Sequence, residues 1–218
     1  MLYSNQRKLA LSGWLQKHNN AAYSSPLRLQ KFLFFYEVFA KVEDDEPDFN
    51  RMRGYKRGPV FSNVWGDYTK DRYQFNVQSL ASYCSNPQLI DVRRAMRASF
   101  IVSSLTEKEL SQLTHRFNIW NSKAPRIMAG EQQVDLYEAD FSNEDNSLVR
   151  MLEAMYPDSL VNNSIVLSIG EKNFVLSVND QIKFTEQHMD TIAMLAERAD
   201  LHNPVFIEID ENGGLLVD

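Results

Sequence analysis

SSPLRLQKFLFFYEVFAKV, Ser24 to Val42, decides how the rest of the chain is arranged. From Leu27 onward the apolar positions are Leu27, Leu29, Phe32, Leu33, Phe34, Phe35, Tyr36, Val38, Phe39 and Val42. That is too many for the single stripe of a surface helix, so a helix enclosed on most sides is predicted. Ser25 suits the N-cap and Pro26 the first helical position, where a missing N–H costs nothing. Glu37 and Lys41 stand one turn apart and are expected to form a narrow polar face with Gln30 behind them. At about 1.5 Å per residue the helix spans roughly 27 Å, enough to cross a small domain.

Working outward, a first helix is expected from about residue 5 to 18, with Leu9, Leu11, Trp14 and Leu15 as its apolar stripe and Asn19-Asn20 as its stop. After the central helix, Glu43 to Asp48 carries acids and a proline but lacks the glycine and distal Glu of a calcium loop, so a solvated loop is expected. In Phe49 to Val60, FNRMRGYKRGPV, the basic residues Arg51, Arg53, Lys56 and Arg57 surround Tyr55, a composition that can hold phosphates and stack a base. No helix-turn-helix or RRM signature accompanies it, which favours an exposed loop with Met52 and Tyr55 turned inward. Phe61 to Tyr68 is expected as a short helix with Val64, Trp65 and Tyr68 on one side. Asp71 to Ser85 is expected to be loop with a short helix. Pro87 to Ser104 is expected to be helical, with Leu89, Val92, Ala95, Met96, Ser99 and Phe100 inward and Arg93, Arg94 and Arg97 exposed. Thr106 and Glu109 form a capping box that opens a helix ending near His115.

Three ordered motifs now stand on the page. Leu29-Gln30-Lys31 leads into an aromatic run through Phe35 and Tyr36; Tyr55 precedes Gly58-Pro59-Val60, Trp65 and Tyr68; and Leu113-Thr114-His115 precedes Trp120. Together they resemble the Panacea domain, also called the SocA-like antitoxin domain, of bacterial and phage proteins. The resemblance spans roughly residues 6 to 126, with Tyr-Lys-Arg before Gly58 where that family commonly has Trp, a spacer and an aromatic. It implies a mainly helical domain in which Leu29, Gln30, Lys31, Phe35, Tyr36, Tyr55, Gly58, Pro59, Val60, Trp65, Thr114, His115 and Trp120 mostly hold the fold. It also implies a non-enzymatic antitoxin that neutralises a cognate protein toxin by direct binding, or an adaptor that presents the toxin to a protease. The alternative read from the residues is a nucleic-acid-binding regulator that grips operator DNA through Arg51, Arg53, Lys56 and Arg57, aided by Arg93, Arg94 and Arg97.

The 218 residues are 44% hydrophobic and 24% charged, the composition of a soluble globular chain. No basic-then-apolar leader and no long apolar window is evident, so cytoplasmic residence without membrane association is expected. Cys84 is the single cysteine and has no cationic neighbour in sequence to stabilise a thiolate. His18, His115, His188 and His202 show no ligand spacing, and no phosphate-loop, dinucleotide, nucleophile-elbow or zinc-protease motif is present. No catalytic residue, metal or cofactor is expected, and His115 is read as a hydrogen-bonded structural residue.

Charge is unevenly divided. Residues 1–130 hold 19 Lys and Arg against 11 Asp and Glu, a balance of +8, and residues 131–218 hold 4 against 18, a balance of −14. The asymmetry suggests two modules: a Panacea-like helical domain at 1–126, a linker at 127–141 and an acidic α+β module at 142–218. In the last, a helix is expected from Ser142 to Met155. Two strands then flank a four-residue turn at Gly170 to Asn173, Thr185 caps a helix whose core face is Met189, Ile192, Ala193, Leu195 and Ala196, and a second hairpin closes around Asp210 to Gly214. The order β-β-α-β-β predicts an antiparallel sheet under a helix, and α+β as the class overall. An acidic surface of this kind suits a basic partner, such as a toxin that acts on RNA or the ribosome.

Overall fold

In the computed structural model, which describes all of residues 1–218, the chain opens with α1 (Gln6–His18), a short α2 (Asn20–Ser24) and the central helix α3 (Pro26–Val42). Asn5, Asn19 and Ser25 each cap the helix that follows, accepting from the backbone N–H of Lys8, Ala22 and Arg28 respectively. These caps let three helices follow one another with single-residue breaks. Thirteen of the seventeen residues of α3 are buried, so it is enclosed around its circumference. Gln30, Lys31 and Glu37 are buried with it. Arg7 and Lys8 of α1 close on the Glu37 carboxylate at 2.7 and 2.5 Å, and the Asp48 N–H donates to it, whereas Lys41 reaches outward to Glu138. The expected Glu37–Lys41 polar face is therefore split, with Glu37 in an internal ion cluster and Lys41 at the surface, because a carboxylate enters a core only with its charge met.

Residues expected as an exposed loop instead form a hairpin, β1 (Met52–Tyr55) and β2 (Gly58–Phe61), joined by Lys56-Arg57. Gly58, at φ +103°, takes the positive-φ position after that turn. Next come α4 (Ser62–Lys70) and α5 (Arg72–Ser85). Trp65 of α4 does not share the inward side of Val64 and Tyr68 but stays 38% exposed. α5 is a fourteen-residue helix where loop with a short helix was expected. It packs on α1 across Gly13, where a β-carbon would lie 2.0 Å from the Ser79 carbonyl oxygen, so backbone proximity replaces the large apolar stripe that marks most helices.

α6 (Val92–Ser104), α7 (Glu107–His115), α8 (Asn118–Asn121) and α9 (Ala124–Met128) follow, α7 opened by the Thr106–Glu109 capping box. Arg94 and Arg97 of α6 are buried, not exposed, and Val92 rather than they faces solvent. Arg94 donates to Glu43 and Asp45, and Arg97 to the Tyr156 carbonyl and to Asp158. Two acids of the supposedly solvated segment after α3 thus anchor a buried arginine. Only Arg93 of the three keeps an exposed guanidinium, and it still lies 3.4 Å from Glu43.

The segment 127–141, expected as a linker, carries β3 (Val134–Asp135), which pairs with β1 to give a sheet of order β2-β1-β3. α10 (Asn143–Met155) and α11 (Asp158–Asn163) then lie against the helical body. Val149, Leu152, Tyr156 and Val161 share one core with the aromatics of α3. The hydrophobic boundary thus falls after α11, later than the boundary suggested by charge.

β4 (Ser164–Ile169), β5 (Lys172–Ser177), α12 (Val178–Lys183), α13 (Glu186–Ala196), β6 (Val205–Ile209) and β7 (Leu215–Val217) complete the chain. The sheet order is β4-β5-β6-β7, with a two-residue Gly170-Glu171 turn in place of the four residues expected. The sheet is mixed, not antiparallel: β5 and β6 run parallel, Phe174 opposite Val205. The reason is the crossover through α12 and α13, which returns the chain to the end of the sheet where β5 began. Side chains alternate across it. Val175 faces the main core, while Phe174, Leu176, Val205 and Ile207 enclose a second, small core with Ile192 of α13. Of the core face expected on α13, Ile192 is enclosed, and Met189 and Ala193 face outward. The architecture is α+β, and no helix is long and apolar enough to cross a membrane.

Candidate functional site

The motifs singled out in the sequence converge where α3, the β1–β2 hairpin, α7 and α8 meet. Gln30 Oε1 accepts from the Phe61 N–H at 2.8 Å, and Lys31 Nζ donates to the Pro59 carbonyl at 3.3 Å, so Gln-Lys of the central helix grips strand β2 at two points. Gly58 leaves the space for this. A β-carbon there would lie 2.3 Å from Lys31 Nζ and 2.4 Å from Thr114 Oγ1. Thr114 is held in turn by the carbonyls of its own helix at Leu110 and Ser111. Trp120 donates from Nε1 to the Tyr55 carbonyl, and His115 stacks on Trp120 with ring centroids 3.8 Å apart. Leu29, Phe35 and Tyr36 lie elsewhere on α3 in the core; the Tyr36 hydroxyl accepts from the Asp91 N–H at the start of α6.

Above this junction lies a cleft of about 620 Å³. Leu27, Tyr55, Val60 and Trp65 supply its apolar walls, and Gln30 and Lys31 line its floor. Gly130 to Gln133, in the segment expected as a linker, close one side. No local signal marks that wall, since it depends on β3 pairing with β1.

Lys31 is the anomalous group here. It is 1% exposed, forms no ion pair, and has the Pro59 carbonyl as its one acceptor. Burial, and then the nearby Arg57 guanidinium, hold its pKa well below the ordinary lysine value. His115 is depressed by burial and then by Lys31, and its Nε2 is buried without a partner. Perturbed titratable groups beside a cleft are a recurrent mark of functional sites.

The residues considered for nucleic acid do not assemble into a free basic face. Arg53 pairs with Asp135 and donates to the Gln133 carbonyl, and Arg57 pairs with Glu107. Arg51 and Lys56 are exposed, while Arg94 and Arg97 are enclosed by carboxylates.

The charge division also changes meaning in three dimensions. Of the eight acids between residues 131 and 163, six pair with cations of the first 130 residues: Glu131, Asp135, Glu138, Asp140, Glu153 and Asp158. They serve internal cohesion. From 164 to 218 there are 3 Lys and Arg against 10 Asp and Glu, a balance of −7. There Lys183 pairs with Asp180 and Arg198 with Asp200, whereas Glu186, Asp190, Glu197, Glu208 and Glu211 are exposed and in no ion pair. Ile182, Met194 and Leu216 are exposed on the same unit, at 85%, 74% and 54%. Comparison with protein-family models, with curated proteins and with solved structures finds no match for the chain.

Proposed function

We propose that the protein is an antitoxin that neutralises a cognate basic toxin by direct protein–protein binding, with the C-terminal unit supplying the contact surface. The observation that carries this reading is the surface of residues 164–218, where exposed acids without ion-pair partners, Glu186, Asp190, Glu197, Glu208 and Glu211 among them, share one unit with exposed Ile182, Met194 and Leu216. A positively charged partner would find both steering charge and apolar contact on this unit. A toxin whose target is RNA would have the face it uses for phosphate covered by those acids. The resemblance of residues 6 to 126 to the Panacea domain supports the same reading, with the helical body acting as a rigid base.

The test is co-expression of the chain with the product of the adjacent gene, following growth and co-purification. Growth arrest by the neighbour alone, relieved by the pair with recovery of a complex, is the expected result. The combined change of Glu186, Glu197, Glu208 and Glu211 to Gln and Asp190 to Asn should weaken the complex and flatten its salt dependence. A harmless neighbour with nothing co-purified would overturn the reading, and unchanged binding by the neutralised variant would overturn the role of the C-terminal unit. Loss of toxin protein from the cell without co-purification would point to an adaptor that delivers it to a protease.

A further inference from the structure

We propose that the cleft over α3 is a binding site for a carboxylate borne on a flat or apolar group, with Lys31 as the charge partner and Gln30 as a second donor. The floor offers donors in excess of acceptors. Gln30 uses its Oε1 on the Phe61 N–H, and its Nε2 makes no hydrogen bond within the protein. Lys31 has three potential donors and one long contact, to the Pro59 carbonyl at 3.3 Å. A lysine amine enclosed to this degree is normally paired with a carboxylate, and none of the eighteen ion pairs in the molecule includes it. The missing partner is an anion small enough to reach the floor.

The walls narrow the class. Trp65 is 38% exposed on the cleft side of α4, and with Tyr55, Leu27 and Val60 it presents flat, apolar surface. Glu107 and Glu131 stand at the rim, and Glu107 already occupies Arg57, so a dianion such as a phosphate monoester meets repulsion that a single carboxylate largely escapes. The volume of about 620 Å³ is that of ordinary small-molecule and peptide-end sites. Either a small carboxylic acid or the C-terminus of a polypeptide carries this chemistry. The site is remote in sequence from the acidic C-terminal surface and stands whether or not that surface binds a toxin.

Binding also moves a proton. Burial and then Arg57 lower the Lys31 pKa, and an arriving carboxylate raises it again, so binding of the acid draws protons toward the amine. The other groups around it are Tyr55, Lys56 and Arg57 of the hairpin, His115 of α7, and Glu107 and Glu131 at the rim; His115, whose pKa burial lowers further from the ordinary imidazole value, is neutral at pH 8.

Isothermal titration of the full chain at pH 8 with phenylacetate and with acetyl-Gly-Gly-Phe, each as free acid and as amide, tests the proposal. At least one acid should saturate the protein with a preference over its amide of about tenfold or more. Runs in buffers of different ionisation enthalpy should show net proton uptake on binding the acid and none on binding the amide. Lys31→Met should lose the preference and the uptake, and Trp65→Ala should weaken acid and amide alike. Saturation by the peptide acid alone assigns the site to a polypeptide end, and saturation by phenylacetate assigns it to small acids. The proposal is overturned if neither acid saturates, if acid and amide bind equally, or if Lys31→Met keeps the preference. If that variant does not fold, the acid-over-amide preference of the native chain decides, and its absence overturns the proposal.

Discussion

Gly58→Ala probes directly how the cleft floor is built, and its magnitude can be worked from the structure. Gly58 has φ +103°, and its added β-carbon would meet Lys31 Nζ at 2.3 Å and Thr114 Oγ1 at 2.4 Å. Two costs add. Holding an L-residue at positive φ costs about 1–2 kcal/mol. The contact adds about 1–3 kcal/mol of overpacking, because neither neighbour can withdraw freely. Thr114 would release its bonds to Leu110 and Ser111, and Lys31, 1% exposed, would have to leave its contact with the Pro59 carbonyl. The sum, about 3 kcal/mol, is a large part of the 5–15 kcal/mol that holds a typical domain together. With a urea slope of about 3 kcal/mol per molar, the unfolding midpoint should fall by about 1 M. Gly66→Ala is the control. Nothing lies within 4 Å of a β-carbon there, and the position is inside α4, so alanine should leave the midpoint unchanged or raise it. A Gly58→Ala midpoint within about 0.2 M of the native chain would refute this account of the floor.

Two further outcomes are expected. Arg97→Met removes the cation shared by Asp158, Glu153 and Glu43 and the donor to the Tyr156 carbonyl, so it should cost about 3–5 kcal/mol in equilibrium unfolding, whereas Arg93→Met, at an exposed ion pair, should cost under about 1 kcal/mol; equal effects would show that the network is not buried in solution. Lys31 gives a pH signature: its folded-state pKa lies well below the unfolded value of 10.5, so between the two the unfolded chain binds the extra proton and stability rises with pH until about 10.5. Melting temperature should therefore rise from pH 7 toward pH 10 more in the native chain than in Lys31→Met, and parallel profiles would place a charged lysine in the folded protein.

Much of the helical body was legible because its signals are local. The density of apolar residues from Leu27 to Val42, Ser25 before Pro26, and the Thr106–Glu109 box each report on their own segment, and each forms as expected. α5 was not legible, since only Phe75 and Ser79 of its fourteen residues are buried and its docking depends on Gly13, more than sixty positions away. The hairpin was obscured by its turn residues: Lys56-Arg57 lacks the Asn-Gly or Asp-Gly pairs that announce a two-residue turn, and the required glycine comes one position later. The parallel pairing of β5 with β6 was hidden in the same way, because two adjacent hairpins and a mixed sheet have the same order of strands in sequence.

Charge shows why a count along the chain and a surface in space differ. The balances of +8 and −14 suggested two modules of opposite sign, yet most acids between 131 and 163 are bound to cations of the first half, which draws that segment into the helical core. What remains for a partner is the smaller balance of −7 from 164 to 218, on a unit with its own core. The same logic applies to the cleft. Gln30, Lys31, Gly58, Pro59 and Thr114 were visible as separate motifs, and their meeting gives each a reason: the amide and amine of α3 hold β2, and the glycine admits them. Lys31 and the Gln30 amide are left with more donors than the fold uses, and of the two only Lys31 can carry charge. A lysine wanted only to hold Pro59 would be better replaced by a shorter neutral donor, since burying an amine is costly; its retention beside an open cleft is what makes an external anion the natural completion of the site.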